Sequence, residues 1–175
     1  MPLELNDTMK SYILHWGEMG TRWGINRSVA QVHALLYISP DPLPADVICE
    51  TLNLARSNVS NCLKELQGWR IIKISHVFGD RRDHFESLKD VWVMFRIIME
   101  ERKKREMDPT VVLLKDCIAQ AEANDDTYCV ERLGAQLEFF ETMGTCFEQT
   151  KRLPTSAFVG MVKLGDRISD LLSPG

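Results

Sequence analysis

A chain of 175 residues that is 45% hydrophobic and 26% charged, with a formal net charge of −4, has the composition of a globular protein of one domain, or of one domain with an appendage. No apolar run approaches the ~18 residues of a membrane span, and the N-terminus MPLELNDTMK is acidic and then amphipathic rather than a secretory leader, so cytoplasmic residence with no membrane partner is expected. Five cysteines (Cys49, Cys62, Cys117, Cys129, Cys146), an odd count with no CxxC pair, argue against a disulfide framework and against a zinc finger or ribbon.

Leu5, Met9, Tyr12, Trp16, Met19 and Trp23 follow one another at intervals of 4, 3, 4, 3 and 4, which predicts an amphipathic helix over residues 4–22. Gly24 ends it and Asn26 is placed to cap a second helix over 27–38, with Val29, Val32, Leu35 and Leu36 inward. Ser39-Pro40-Asp41-Pro42 forms a rigid loop. The stretch from Pro44 to Gly68 then reads as a short helix, a tight turn at Leu52-Asn53-Leu54 and a second helix. Val47, Ile48, Leu52, Leu54, Val59, Leu63 and Leu66 supply the packed elbow of a helix-turn-helix. Asn53 stands where glycine is common, and asparagine tolerates the left-handed conformation. Gly68 is expected to cap the second helix.

Ile71 to Val77 is rich in β-branched residues and reads as a strand. Gly79-Asp80 signals a turn, and His84-Phe85-Glu86-Ser87 returns as a second strand, so a hairpin with Arg81 and Arg82 at its tip follows the helix-turn-helix directly. The remainder is helical. Residues 89–105 form a helix with Val91, Phe95 and Ile98 inward, Asp108-Pro109 starts another that runs to Ala123, and Asn124 to Thr127 breaks it. A long helix follows with Val130, Leu133, Leu137, Phe140, Gly144 and Phe147 on one stripe. Leu153 to Ser156 ends it, and a final helix carries Phe158, Met161, Leu164, Ile168 and Leu171. Narrow seams of this kind face another helix, either within one chain or across a dimer, and the dimer is the favoured reading.

The second helix of the motif has two chemically distinct faces. Val59, Leu63 and Leu66 lie on one. Ser57, Ser60, Asn61 and Lys64 lie on the other, which has no acid at its centre. Such a face can enter a major groove, with Asn61 suited to adenine and Arg56 and Lys64 suited to phosphate or guanine. The charge distribution agrees: the window 53–89 carries 7 basic against 4 acidic residues, whereas residues 106–175 carry 6 against 12. Arginine at a hairpin tip suits a narrow minor groove, although flanking Asp80 and Asp83 offer surface partners instead.

Other readings are weaker. No P-loop, GxGxxG, HExxH or nucleophile elbow is present, so neither an enzyme nor a cofactor is expected. His76 and His84 flank the hairpin but lack further metal ligands. Cys49 and Cys62 lie in the motif helices, where redox sensing competes with the blander role of small apolar residues. The stronger rival is a winged helix used for protein–protein contact without DNA, which the net acidic charge favours.

The layout resembles the MarR superfamily of bacterial winged-helix transcription regulators, and in detail its GbsR-like branch, named for regulators of choline and glycine-betaine metabolism. The carrying segments are GTRWGINRSVAQVHALLYIS, LARSNVSNCLKELQGWRII and FGDRRDHFES. Residues 10–105 match well, and the C-terminal helices match in layout only. The resemblance implies a mainly α fold with a small β wing: an N-terminal dimerisation helix over 1–25, a winged helix-turn-helix over 26–88, and a helical dimerisation and effector region over 89–175. It implies a homodimer that binds a palindromic operator in double-stranded DNA and represses a nearby operon, relieved by a small ligand. Carried onto this chain, DNA contacts fall to Arg56, Ser57, Asn58, Ser60, Asn61 and Lys64 of the recognition helix and to Arg81 and Arg82 of the wing. A quaternary ammonium effector would call for an aromatic cage. Trp16, Trp23, Tyr37, Trp69, Trp92, Tyr128, Phe139 and Phe140 are available, but for most of them core packing is the better reading.

Overall fold

The computed structural model describes residues 3–161 and 164. The chain divides into two compact units, Met1–Ile98 and Met99–Gly175. The first contains α1 (Asp7–Arg22), α2 (Arg27–Ile38), β1 (Leu43–Pro44), α3 (Ala45–Leu52), α4 (Arg56–Gly68), β2 (Ile72–Ser75) and β3 (His84–Ser87). The boundary falls inside α5 (Val91–Arg102). A π-helical turn (Lys103–Met107), α6 (Asp108–Ala123) and α7 (Thr127–Lys151) follow.

Helix α2 is the centre of the first unit. Its sequence RSVAQVHALLYI places apolar side chains on nearly every face, and Val32, Ala34, Leu35 and Leu36 are buried, with α1, α3, α4 and β3 packed around them. Asn26 caps α2 by accepting from the Ser28 amide at 2.8 Å, as its sequence position suggests. At the other end Lys89 does what no residue of α2 does: its Nζ donates to the carbonyls of Leu36, Tyr37 and Ser39 at 3.1, 2.8 and 2.9 Å. A cation there answers both the orphan carbonyls and the negative end of the helix dipole.

The predicted α1 stripe is rotated from the line that is buried. The chain packs α1 onto α2 through Ile13, Gly17 and Gly20, while Trp16 and Trp23 stay 37% and 52% exposed. The glycines set the contact distance: a Cβ on Gly20 would stand 2.5 Å from the Ala30 Cβ, closer than two side-chain carbons can come. Large apolar residues mark the seam in a sequence, but the absence of a side chain made the closest packing here. Leu5 lies before the helix, which starts only after Asn6 accepts from the Met9 amide.

Two further differences have local causes. Gly68 does not take the left-handed cap position. It is the last residue of α4, and Arg70 carries the positive φ of 58° instead. In α5 the inward face is Met94 with Ile97 and Ile98, whereas Val91 and Phe95 are 56% and 46% exposed. Asp90 accepts from the amides of Trp92 and Val93, so the helix begins two residues later than predicted. The break foreseen before Asp108-Pro109 is instead the π-helical turn, which widens the backbone where Pro109 can neither donate to Arg105 nor clear its carbonyl in a regular helix.

The sheet is small and antiparallel, in the order β1-β3-β2, with Leu43 opposite Phe85 and Phe85 opposite Ile74. β1 was not legible in the sequence, because two residues ending in proline carry no strand pattern. Together with α3 and α4 this sheet makes a winged helix-turn-helix. In the second unit α6 packs on α7, and Leu133, Leu137, Phe140, Gly144 and Phe147 are half-buried on the predicted stripe. Asp126 caps α7 by accepting from the Cys129 amide at 3.0 Å. Residues 155–161 are helical, while the predicted positions Ile168 and Leu171 lie outside the described residues. Among the described residues no helix is long and apolar enough to cross a membrane.

His33 is buried within α2, its Nε2 3.1 Å from the Ser87 Oγ. Burial, and then the Lys89 cation, lower its pKa from 6.5 to about 4. The unfolded chain therefore binds a proton that the folded chain refuses between pH 6.5 and 4. Stability from this group is complete above pH 6.5 and is lost as the pH falls towards 4, by roughly 3 kcal/mol. Urea unfolding of the chain and of His33→Gln at several pH values should show that extra loss in the parent only.

Candidate nucleic-acid interface

The helix-turn-helix is set by one backbone conformation and one apolar elbow. Asn53 takes φ 51° and ψ 46°, and the Leu54 amide returns to the Cys49 carbonyl at 3.0 Å. That reversal lets Ile48 of α3 meet Val59, Cys62, Leu63 and Leu66 of α4 in the core. Each buried aliphatic side chain contributes on the order of 1.5–3 kcal/mol, so the back of α4 is held firmly and its front is left to solvent.

On that front Arg56, Ser57, Ser60, Asn61 and Lys64 are all exposed. Positions 57, 60, 61 and 64 repeat as i, i+3, i+4 and i+7, so the four form one stripe along α4. Ala55 starts the helix without a side-chain cap, which leaves its first backbone donors at the same end as Arg56 and Ser57. Asn58 is placed differently. It turns towards α2, where its Nδ2 donates to the Ser28 Oγ at 3.2 Å, and its Oδ1 lies 3.5 Å from the Cys62 Sγ. Burial raises the pKa of the Cys62 thiol, and desolvation does the same at Cys49. Both thiols are thereby less reactive than free cysteine, which favours the packing role over redox sensing.

The wing is organised by Asp80. Its carboxylate accepts from the Arg82 backbone amide at 2.9 Å, from Nε at 3.0 Å and from Nη2 at 2.6 Å. It also lies 3.4 Å from the His84 Nε2. The Arg82 side-chain hydrogen bonds hold the Asp80 carboxyl well below the usual carboxylate range. Arg82 reaches further, with Nη1 2.6 Å from the Asp46 Oδ2 at the start of α3. Two carboxylates therefore answer this guanidinium and pin the wing to the helix-turn-helix, while Arg81 beside it is exposed. The sequence raised pairing with Asp80, but Asp46, 36 residues away, was beyond its reach. His84 is buried, and its Nδ1 donates to the Arg82 carbonyl at 2.9 Å, so it serves the wing. Among the described residues no group of three or more His, Cys, Asp or Glu side chains could hold a metal ion.

Within the first unit, α1, α2, the end of α4 and Ile98 enclose a cavity of about 170 Å³. Trp16, Trp23 and Trp69 line it with His15 and His33, and no carboxylate does. Core packing, the better sequence reading for these aromatics, does not hold for the half-open Trp16 and Trp23. Nor does it hold for Trp92, Phe139 and Tyr128, which are exposed although Trp92 meets Phe95 edge-on and Phe139 meets Phe140.

No family model matches the chain. It is similar to the HTH-type transcriptional repressor GbsR of Bacillus subtilis (strain 168), 24% identical over 148 residues that span 80% of each chain. Among solved structures it is similar to a crystal structure described as a transcriptional regulator, at a TM-score of 0.61 and 16% identity over 82% of this chain and 95% of that one. That likeness shows a shared fold.

The Asp46–Arg82–Asp80 clamp has a measurable consequence. Arg82→Ala should speed hydrogen exchange of the wing amides over residues 77–83 at least tenfold and leave those of α4 unchanged. Equal protection in both proteins would mean that the clamp does not order the wing.

Proposed function

We propose that this chain, a GbsR-like winged-helix protein of the MarR type, is a DNA-binding transcriptional regulator that acts as a homodimer on a palindromic operator. The observation that carries the reading is the α4 stripe of Ser57, Ser60, Asn61 and Lys64. It is exposed, has no acid at its centre and is held from behind by a buried aliphatic face. A helix so presented fits the major groove, where Asn61 can read adenine and the smaller hydroxyls let the backbone approach. Arg56, Lys64 and the open N-terminus of α4 supply partners for phosphate. Asn58 belongs to this set through its position: bonded to Ser28, it fixes how α4 sits on α2.

The domain assignment is part of the same proposal. Residues 26–88 read DNA, while the N-terminal helix and the region from residue 89 onward join two copies. Val112 and Leu113 of α6 and Phe139 and Met143 of α7 are 59%, 61%, 59% and 45% exposed, which is the apolar surface a second copy would cover. Repression of the target operon follows from the similarity to GbsR, itself a repressor.

Two substitutions test the DNA reading against a winged helix that binds protein alone. In mobility-shift titrations with duplexes selected from a random pool, Asn61→Ala should cost about 1–3 kcal/mol and relax preference at one position of each half-site. Lys64→Ala should weaken binding to all sequences and lower the salt slope by about 0.9 for each phosphate it no longer neutralises. Native mass measurement should find two chains per duplex. Retained affinity in both variants would reject the interface.

The effector we propose is a quaternary ammonium compound of the choline and betaine class, held in the tryptophan-lined cavity. Aromatic faces attract such cations without a counter-charge, and methyl groups suit apolar walls. Tryptophan fluorescence should change saturably with choline or glycine betaine and far less with 3,3-dimethylbutanol, the uncharged isostere of choline. Trp16→Ala should abolish the response. Equal responses to choline and its isostere would remove the cation from the account.

A further inference from the structure

The wing tip exposes apolar surface where charge was expected. Phe78 is fully exposed, and Val77 and Ile74 are each 42% exposed on the same hairpin. The loop that carries them is ordered by its own bonds. The Asp80 amide donates to the Val77 carbonyl at 3.1 Å, Gly79 takes the left-handed φ of 84°, and Asp80 gathers Arg82 and His84 beneath the tip. The ring is thus held out in water by a preorganised turn that is bonded through Arg82 to α3. Three of the five N–H donors of Arg82 bond Asp80 and Asp46, so drawing it away into a groove means giving up ion pairs the fold already makes. What the tip offers without rearrangement is an aromatic ring, with Arg81 nearby.

We propose that Phe78 is a nucleic-acid contact: the wing lays its ring against a base step of the minor groove as an apolar wedge, Arg81 meets the flanking phosphates, and Arg82 remains in its clamp. This rests on the DNA-binding reading and adds a contact that the charge pattern alone does not supply. Phenylalanine is one of the side chains that wedge between base steps and partly unstack them. A duplex suits the patch better than a protein does. Three side chains fall far short of the roughly 800 Å² per partner of a stable protein interface, and the adjacent cation matches a phosphate backbone. Gly79 adds no side chain beside the ring, so the tip can approach closely.

The test uses the full chain and duplexes selected from a random pool, with 2-aminopurine placed at steps flanking the half-sites. Binding of the parent should raise 2-aminopurine fluorescence, and Phe78→Ala should lose that rise. Phe78→Ala should also bind about 10- to 30-fold more weakly with an unchanged salt slope, because an apolar contact releases no counterions. Phe78→Leu should keep most of the affinity, and Arg81→Ala should lower the slope. Phe78→Ala binding within twofold of the parent with the same fluorescence rise overturns the inference, and does so alone if Asn61→Ala still weakens binding. A change in oligomeric mass with Phe78→Ala assigns the ring to a second copy and overturns it too. A chain that selects no duplex overturns the DNA reading and this inference together.

Discussion

The burial of α2 is the constraint on which the first unit depends. Val32, Ala34, Leu35 and Leu36 leave almost no surface to solvent, so α1, α4 and β3 are positioned by what they present to this one helix. Loss of a buried leucine in such a place costs about 2–5 kcal/mol, a large share of the 5–15 kcal/mol that holds a domain together. Because α4 is fastened to α2 along its back, its polar front is a fixed template rather than a flexible ligand. The Asn58–Ser28 bond adds a directional contact to apolar packing that is otherwise indifferent to small rotations.

The parts of the fold that follow periodic rules were legible in the order of residues alone. The bounds of α2 and β3, the Asn26 cap, the break at Asn124 to Thr127, the left-handed Asn53 and the half-buried stripe of α7 are each set by a few neighbouring residues. The features that were missed have a different cause. Gly17 and Gly20, Lys89 on the end of α2, Asp46 on Arg82, and the two-residue strand β1 are fixed by residues distant in the chain or by the lack of a side chain. The candidate interface divides the same way. The exposed stripe of α4 could be drawn from helical spacing alone, whereas the inward turn of Asn58, the pairing of Arg82 and the gathering of three tryptophans required the tertiary structure.

The clamp on Arg82 also bears on the proposed DNA binding, because it concerns how an acidic protein would approach a polyanion. A formal charge of −4 gives no general attraction, so the proposed binding would rest on where the cations stand and not on their number. On α4 they stand on a front with no carboxylate at its centre. On the wing one of the two arginines is spent on holding the hairpin to α3. Its ion pairs tie the wing to the start of α3 and so fix where the tip stands relative to α4.

The tryptophan-lined cavity and the exposed polar stripe share a helix. Leu66 and Trp69, at the end of α4, form part of the cavity wall, while Arg56 and Ser57 begin the same helix. Thirteen residues of α-helix span about 20 Å and move as a rod on this scale. A tilt at Leu66 is therefore transmitted to Ser57 without a relay of side-chain contacts. For a ligand in the cavity to change operator affinity tenfold, it must favour one tilt over the other by about 1.4 kcal/mol, and by reciprocity DNA must change ligand affinity by the same factor. Trp16 and Trp23 are well placed to supply that difference. They are the half-open part of the wall, whereas Leu66 is buried.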